Sequence, residues 1–135
     1  SGRGLRLGLF SNATHDPFIQ NVVDRLGLRP FLDPVLSSGG VGVRKPDPAA
    51  FDPCLAAWSL PAGSVVVVGD SLEHDAQGAH RAGMRAVWYR SSKNARQEGG
   101  GYGDEGAPDR IRPEAIIDRL GDLPARLDLL SSLQD

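Results

Sequence analysis

Short apolar runs alternate along this chain with segments in which apolar residues recur every three or four positions. The runs lie at residues 5–10, 34–37, 65–68, 86–89 and 115–117, and their length and content are typical of strands. Strands that alternate with helices form βαβ units with right-handed crossovers. The pattern therefore predicts an α/β fold built on a parallel sheet.

The most apolar run consists of four valines at positions 65–68, and Gly69 and Asp70 follow it directly. A β-branched run without polar alternation is typical of a strand that is covered on both faces. Gly69 would let the backbone leave this strand sharply. We therefore expect Asp70 at the carboxyl end of the strand, where open α/β sheets bind their ligands, and Asp75 at the start of the next helix.

Capping residues mark the limits of the first predicted helix. Asp16 is the expected N-cap, and Gly27 closes the helix in a position that favours a left-handed backbone. Phe18, Val22 and Leu26 recur at four-residue spacing, so we expect them to form its buried face.

The second helix contains a proline that a helix interior does not tolerate. Asp47 is its expected N-cap, and Pro53 lies six positions further on. Either a shorter helix restarts at residue 52 or the helix is kinked there. Cys54 lies on the apolar face, and we interpret it as core filler rather than as a reactive thiol.

The second half of the chain contains two further helix signals and one segment without any. Ala76, Ala79 and Ala82 predict a small-residue helix that can lie close to the sheet, and residues 123–133 predict an amphipathic closing helix. Residues 91–113 are rich in glycine, serine and charge, and they cannot bury enough apolar area to become ordered. We expect them to form a flexible surface loop.

Composition restricts the partners more than it restricts the fold. The 135 residues correspond to one domain, and 15 basic against 17 acidic residues give a net charge of -2. This charge provides no basic field for nucleic acid and no polybasic membrane tract. The single cysteine agrees with a reducing compartment. We therefore expect a cytoplasmic protein that binds neither nucleic acid nor a membrane.

Hydroxyl, ammonium and carboxylate groups are all predicted at one edge of the sheet. Ser11 and Asn12 follow the first strand, where the hydroxyl and the N–H groups of the turn can donate to phosphate oxygens. Lys45, in a later loop, could neutralise a phosphoryl oxygen. Asp70 and Asp75 would repel each other unless a cation lay between them, and oxygen ligands at such a site suit Mg²⁺.

Each of these residues also has a purely structural interpretation. Ser11 could be an ordinary turn residue and Lys45 a solvated surface lysine. Asp70 could merely end a strand, and Asp75 could cap a helix. Only the joint pattern distinguishes the two interpretations.

That joint pattern resembles the haloacid dehalogenase-like (HAD) hydrolase superfamily. Residues 7–12 are similar to the second motif of the family, the stretch VGVRKPDP that ends at Pro48 to the third, and residues 68–75 to the fourth. The resemblance covers about residues 5–90, with a looser match at 114–130.

The resemblance implies a Rossmann-like core with Mg²⁺-dependent phosphatase activity on a small phosphorylated metabolite. By that resemblance Ser11 and Asn12 would bind the phosphoryl group, and Lys45 would hold the charge of the nucleophile and of the phosphoryl group. Asp70 would ligate Mg²⁺, and Asp75 would complete the acidic, metal-binding site through water or through Lys45. The dehalogenase branch usually carries serine and asparagine in the fourth motif, so Asp70 favours phosphate-ester chemistry.

The first motif of the family, an Asp-x-Asp that supplies the nucleophile, has no match in this sequence. In the resembling fold its strand lies between the strands that end here at Ser11 and Asp70, and its removal would leave two buried edges unpaired. We therefore expect residues 1–135 to be a partial core domain, inactive alone, that needs a complementary N-terminal segment from the same protein or a second chain. The alternatives are a non-catalytic HAD-like binding domain, or a HAD mutase or dehalogenase.

Overall fold

A computed structural model describes residues 5–90 and 111–132 of the 135-residue chain. The chain divides into two compact units, one ending at Pro61 and the other beginning at Ala62. Each unit contains its own parallel sheet, so the predicted α/β class with parallel strands is confirmed. Residues 91–110 of the predicted flexible loop lie outside the described residues.

The first unit is built on a two-stranded parallel sheet. Strand β1 (Leu9–Ser11) pairs with β2 (Val35–Ser37), and helix α1 (Asp16–Arg25) lies between them in the chain. Ser11 is aligned with Ser37, so the two strands end at the same level. β1 is shorter than the run that predicted it, whereas β2 matches its prediction closely.

The buried face of α1 differs from the predicted face. Phe18 and Leu26 are 60% and 66% exposed, whereas Val23 is only 2% exposed. Two apolar stripes compete on this helix, and the packing of the helix against the sheet selects the one that contains Val23. Gly27 has a φ of +72°, so its predicted left-handed conformation at the end of the helix is confirmed.

A short helix α2 (Ser38–Val41) follows β2, and the next helix, α3 (Asp52–Trp58), restarts after a separate 3-10 turn. Asp47 caps that turn, Pro48–Phe51, by accepting a hydrogen bond from the N–H of Ala49. Pro53 therefore lies in the first turn of α3, where its missing N–H is tolerated, and the restart is the correct alternative. Cys54 is a partly buried free thiol whose pKa is raised by that burial.

The second unit contains a three-stranded parallel sheet in the order β3-β4-β5. Its strands are β3 (Val66–Gly69), β4 (Arg85–Tyr89) and β5 (Ala115–Ile117). Between β3 and β4 the chain forms a π-helix over Leu72–Gln77 that continues as α4 (Gly78–Arg81).

The most buried strand of this sheet is β4 rather than the valine run. Ala86, Val87 and Trp88 are at most 1% exposed, whereas Val68 on β3 is 37% exposed. The expectation that the valine strand is covered on both faces is therefore wrong at Val68. The reason is that β3 is an edge strand in the described part of the chain, with β4 as its strand neighbour there.

Helix α5 (Leu123–Ser132) closes the second unit, as predicted. Leu130 of this helix forms a buried cluster with Val87 and Ile117. Short 3-10 turns lie at Arg29–Phe31, Ala62–Ser64 and Leu120–Asp122. Among the described helices, none has the length and apolar content that crossing a membrane requires.

Candidate active site

The first group of predicted site residues lies where β1 ends. Ser11 is the last residue of the strand, and its main-chain oxygen accepts a hydrogen bond from the N–H of Ala13 at 2.9 Å. This bond turns the chain directly after the strand. Ser11 and Asn12 are both half-buried at this turn, so they lie at the strand end where the sequence predicts them.

Asn12 joins this turn to the main chain of Lys45. Its Oδ1 accepts a hydrogen bond from the N–H of Lys45 at 2.9 Å, and its Nδ2 donates to the Lys45 carbonyl at 3.0 Å. Like a residue of a neighbouring strand, the Asn12 amide bonds both the N–H and the C=O of Lys45. One side chain therefore fixes the backbone of the lysine. No sequence signal reveals this contact, because the two residues are 33 positions apart.

The ammonium group of Lys45 also lies at the end of β1. Its Nζ donates to the carbonyl of Phe10 at 3.3 Å and lies 5.7 Å from the centroid of the Phe10 ring. The first unit therefore brings together Ser11, Asn12 and Lys45. A hydroxyl-bearing residue and an ammonium group at the same strand end are groups suited to binding an anion such as a phosphate.

A carboxylate that the sequence indicates only as a helix cap lies at the end of β2. Asp16 is the first residue of α1 rather than its N-cap, and its Oδ1 accepts a hydrogen bond from the hydroxyl of Ser37 at 2.7 Å. Ser37 is fully buried and accepts from the N–H of Gly40 at 3.1 Å. A Cβ at Gly40 would lie 2.9 Å from Asp16 Oδ1, so this glycine lets helix α2 (Ser38–Val41) approach the carboxylate closely.

The second group of predicted site residues follows β3. Asp70 lies on an exposed turn, and its main-chain oxygen accepts a hydrogen bond from the indole N–H of Trp88 at 3.0 Å. The next N–H, that of Ser71, donates to Oδ2 of Asp75 at 3.0 Å. Asp70 and Asp75 therefore belong to one bonded turn of the second unit.

Asp75 is buried against the backbone of this turn, with 6% of its surface exposed. A Cβ at Gly69 would overlap the Asp75 carboxylate, so the glycine is needed for this close approach as well as for the exit from the strand. The hydroxyl of Ser71 accepts from the N–H of His74 at 3.1 Å and caps the π-helix. π-Helical turns occur frequently at functional sites.

The donor groups of this turn fit a magnesium site that is completed by other ligands. Mg²⁺ commonly binds one or two carboxylates together with waters and substrate phosphate oxygens, and Asp70 and Asp75 could supply the carboxylates. Within residues 5–90 and 111–132, no group of three or more His, Cys, Asp and Glu could hold a metal ion. A cation at Asp70 would therefore also need waters or phosphate oxygens as ligands.

Comparison with known proteins identifies the family. A family model described as HAD-hydrolase-like matches residues 42–123, which is more than half of the chain. The chain belongs to the HAD-like hydrolase family. The resemblance seen in the motifs around Lys45 and Asp70 is therefore confirmed.

Two HAD-type relatives show how much of a whole protein this chain represents. Phosphoserine phosphatase from Thermus thermophilus is 41% identical over 86 residues, which cover 64% of this chain and 34% of that protein. Haloacid dehalogenase-like hydrolase domain-containing protein 3 from Mus musculus is 33% identical over 130 residues, which cover 96% of this chain and 48% of that protein. The chain thus spans between about a third and about half of the length of these relatives.

A solved HAD structure has the same fold. The crystal structure of 2-haloacid dehalogenase from Pseudomonas syringae pv. Tomato DC3000 matches with a TM-score of 0.71 and 32% sequence identity. The match covers 94% of this HAD chain and 48% of the dehalogenase chain. It confirms the expected HAD-type, Rossmann-like α/β fold.

Proposed function

We propose that this HAD chain is the phosphate- and metal-binding part of a Mg²⁺-dependent phosphatase that acts on a small phosphorylated metabolite. The observation that carries the proposal is the anchoring of Lys45 at the end of β1, which sets its ammonium group at the strand end that Ser11 occupies. The similarity to a phosphoserine phosphatase supports the same reaction class. The carboxylate of Asp70 supports it too, since dehalogenation needs no metal.

The first unit would bind the transferring phosphoryl group. Ser11 would donate from its hydroxyl to the phosphoryl oxygens, and Asn12 would contribute through the N–H groups of the turn. Lys45 would neutralise the charge of the nucleophile and of the phosphoryl group. The bonds from Asn12 to the Lys45 backbone support this role, because they restrict where the ammonium group can lie.

The second unit would hold the metal. Asp70 would ligate Mg²⁺, and Asp75 would complete the acidic site through water while also accepting the hydrogen bond from the N–H of Ser71. When bound, Mg²⁺ would neutralise charge on the phosphoryl oxygens. The bond from the Ser71 N–H to Asp75 supports this role, because it restricts the conformation of the turn that carries Asp70.

The nucleophile would come from a complementary N-terminal segment, either of the same protein or of a second chain. No Asp-x-Asp sequence occurs in the 135 residues, and an aspartyl-phosphate mechanism requires one. Within the described residues, β1 and β3 are both edge strands, and edge strands can pair with a further strand. Without that segment we propose that the chain is inactive.

We also propose a cytoplasmic location for the protein, and the free thiol of Cys54 agrees with it.

A complementation assay tests this proposal. The chain is co-expressed with a segment that carries Asp-x-Asp, and phosphate release from p-nitrophenyl phosphate is measured with and without Mg²⁺. We expect Mg²⁺-dependent release, and we expect Asp70→Asn to lower turnover by about a thousandfold, because metal charge stabilisation contributes several kcal/mol. Glu73→Gln, at an exposed acid of the same segment, should leave turnover unchanged. A folded, complemented protein that releases no phosphate would contradict the proposal.

A dehalogenase is the second candidate, because a 2-haloacid dehalogenase structure has the same fold at 32% identity. It predicts metal-independent release of chloride from 2-chloropropionate by the complemented protein. A HAD mutase would instead move phosphate within a sugar phosphate, and a non-catalytic binding domain would show none of these activities. The three alternatives are therefore separated by product analysis of the same preparation.

A further inference from the structure

The peptide group between Asp70 and Ser71 is held at both ends by buried side chains. Its C=O accepts a hydrogen bond from Nε1 of Trp88 at 3.0 Å, and its N–H donates to Oδ2 of Asp75 at 3.0 Å. Trp88 is 0% exposed and Asp75 is 6% exposed. Because the peptide group is planar, fixing both its oxygen and its nitrogen restricts its rotation and therefore the backbone of Asp70.

Both side chains that hold this peptide group are anchored in regular structure. Trp88 lies on β4, the most buried strand, and is aligned with Gly69 in the ladder between β3 and β4. Asp75 lies in the π-helix and packs directly against Gly69. The turn that carries Asp70 is therefore fixed by the sheet on one side and by the helix on the other.

Trp88 packs in the core and also has a side-chain hydrogen-bond donor. The indole has one donor and no acceptor, and a buried indole N–H generally needs a partner. Here the N–H bonds to the main chain of the residue whose carboxylate would bind the metal. Removing a group that orients a metal-ligating residue by a hydrogen bond typically lowers metal affinity by about ten- to a hundredfold.

We propose that Trp88 is a positioning residue for Asp70. Its indole N–H and the Asp75 carboxylate orient the peptide group between Asp70 and Ser71, and this orientation presents the Asp70 carboxylate to a divalent cation. The proposal rests on the proposed function for the cation, whereas the orientation of the peptide group can be measured without one.

The variant Trp88→Phe tests the role of the donor because it removes the N–H and keeps an aromatic ring. Trp58→Phe is the matched control, since Nε1 of Trp58 donates to the main-chain oxygen of Asp33 at 2.8 Å in the first unit. Binding of Mg²⁺ to the full 135-residue chain is measured by titration calorimetry with inorganic phosphate present, because the proposed site shares the ion with phosphate oxygens. We expect Trp88→Phe to weaken Mg²⁺ binding by about tenfold. Trp58→Phe should bind like the wild-type chain.

Amide hydrogen exchange provides a readout that needs no metal. Trp88→Phe should speed exchange of the Ser71 N–H by about fivefold, the scale expected for one neutral hydrogen bond. The N–H of Val87, in the middle of β4, should change its exchange rate only as much as the change in global stability of the variant requires. If the wild-type chain binds no Mg²⁺, the proposed metal site fails, and the exchange rate still decides whether Trp88 holds the turn.

An unchanged exchange rate at Ser71 in folded Trp88→Phe would overturn the positioning role. If that variant does not fold, Asp75→Ala in the wild-type background replaces it. The chain has two tryptophans, so a ¹H–¹⁵N spectrum contains two indole N–H signals. Loss of the Asp75 bond should shift the Trp88 signal and leave that of Trp58 in place. A Trp88 signal that does not move would likewise overturn the proposal.

Discussion

Gly69→Ala is the sharpest test of how tightly the turn after β3 is packed. The added Cβ would overlap the carboxylate of Asp75, so Asp75 must move and give up its bond to Ser71. Overpacking of a filled site lowers stability by about 1 to 3 kcal/mol. Loss of a hydrogen bond to a charged group adds about 1.5 to 3 kcal/mol. We therefore expect the free energy of unfolding to fall by about 2.5 to 6 kcal/mol, a large part of the stability of an ordinary domain.

Urea unfolding followed by circular dichroism measures this loss. Gly121→Ala is the matched control, because a Cβ at Gly121 would have no atom within 4 Å, and its effect should stay within about 0.5 kcal/mol. In an Asp75→Ala background the carboxylate is absent. Gly69→Ala should then lower stability by only about 1 kcal/mol, and the difference between the two backgrounds is the coupling energy.

Two results would refute this reasoning. Gly69→Ala could behave like Gly121→Ala, which would mean that the Asp75 carboxylate does not lie against the backbone at Gly69. Alternatively, the loss of stability could be equal with and without the Asp75 carboxylate. The cause would then lie in the backbone conformation of residue 69 rather than in the close approach.

Two further predictions concern single contacts. Asn12→Ala removes both bonds to the Lys45 backbone, so exchange of the Lys45 N–H should rise by about fivefold or more; an unchanged rate would contradict this contact. Hydrogen bonding from Arg90 lowers the pKa of Asp118 below its usual value of 3.8. The ion pair therefore stabilises the folded chain above pH 3.8, and this stabilisation is lost as the pH falls through the lowered pKa. The melting temperature of the wild-type chain should therefore be higher than that of Asp118→Asn at pH 7 and equal to it in strong acid. A difference in melting temperature that persists in acid would exclude this ion pair as the cause.

Features that depend on neighbours along the chain could be predicted from the sequence. Gly27 closes α1 in a left-handed conformation, and Asp47 caps the turn before α3, because both effects act within a few residues. The strand that ends at Gly69 and the spacing of Lys45, Asp70 and Asp75 likewise indicated the family from the sequence alone. Local backbone chemistry and the order of reactive groups are properties of the sequence itself.

Features that depend on which element covers another were decided only by the tertiary structure. The sequence contains two apolar stripes on α1, and packing selected Val23 over Phe18. It shows Trp88 as an apolar residue of a strand, and only the fold directs its indole N–H to the carbonyl of Asp70, which lies 18 positions earlier. The physical reason is that apolar periodicity shows which residues share a face of a helix or strand, but it does not show what that face packs against. A side-chain hydrogen bond likewise needs a partner. The partner is known only once distant segments lie side by side.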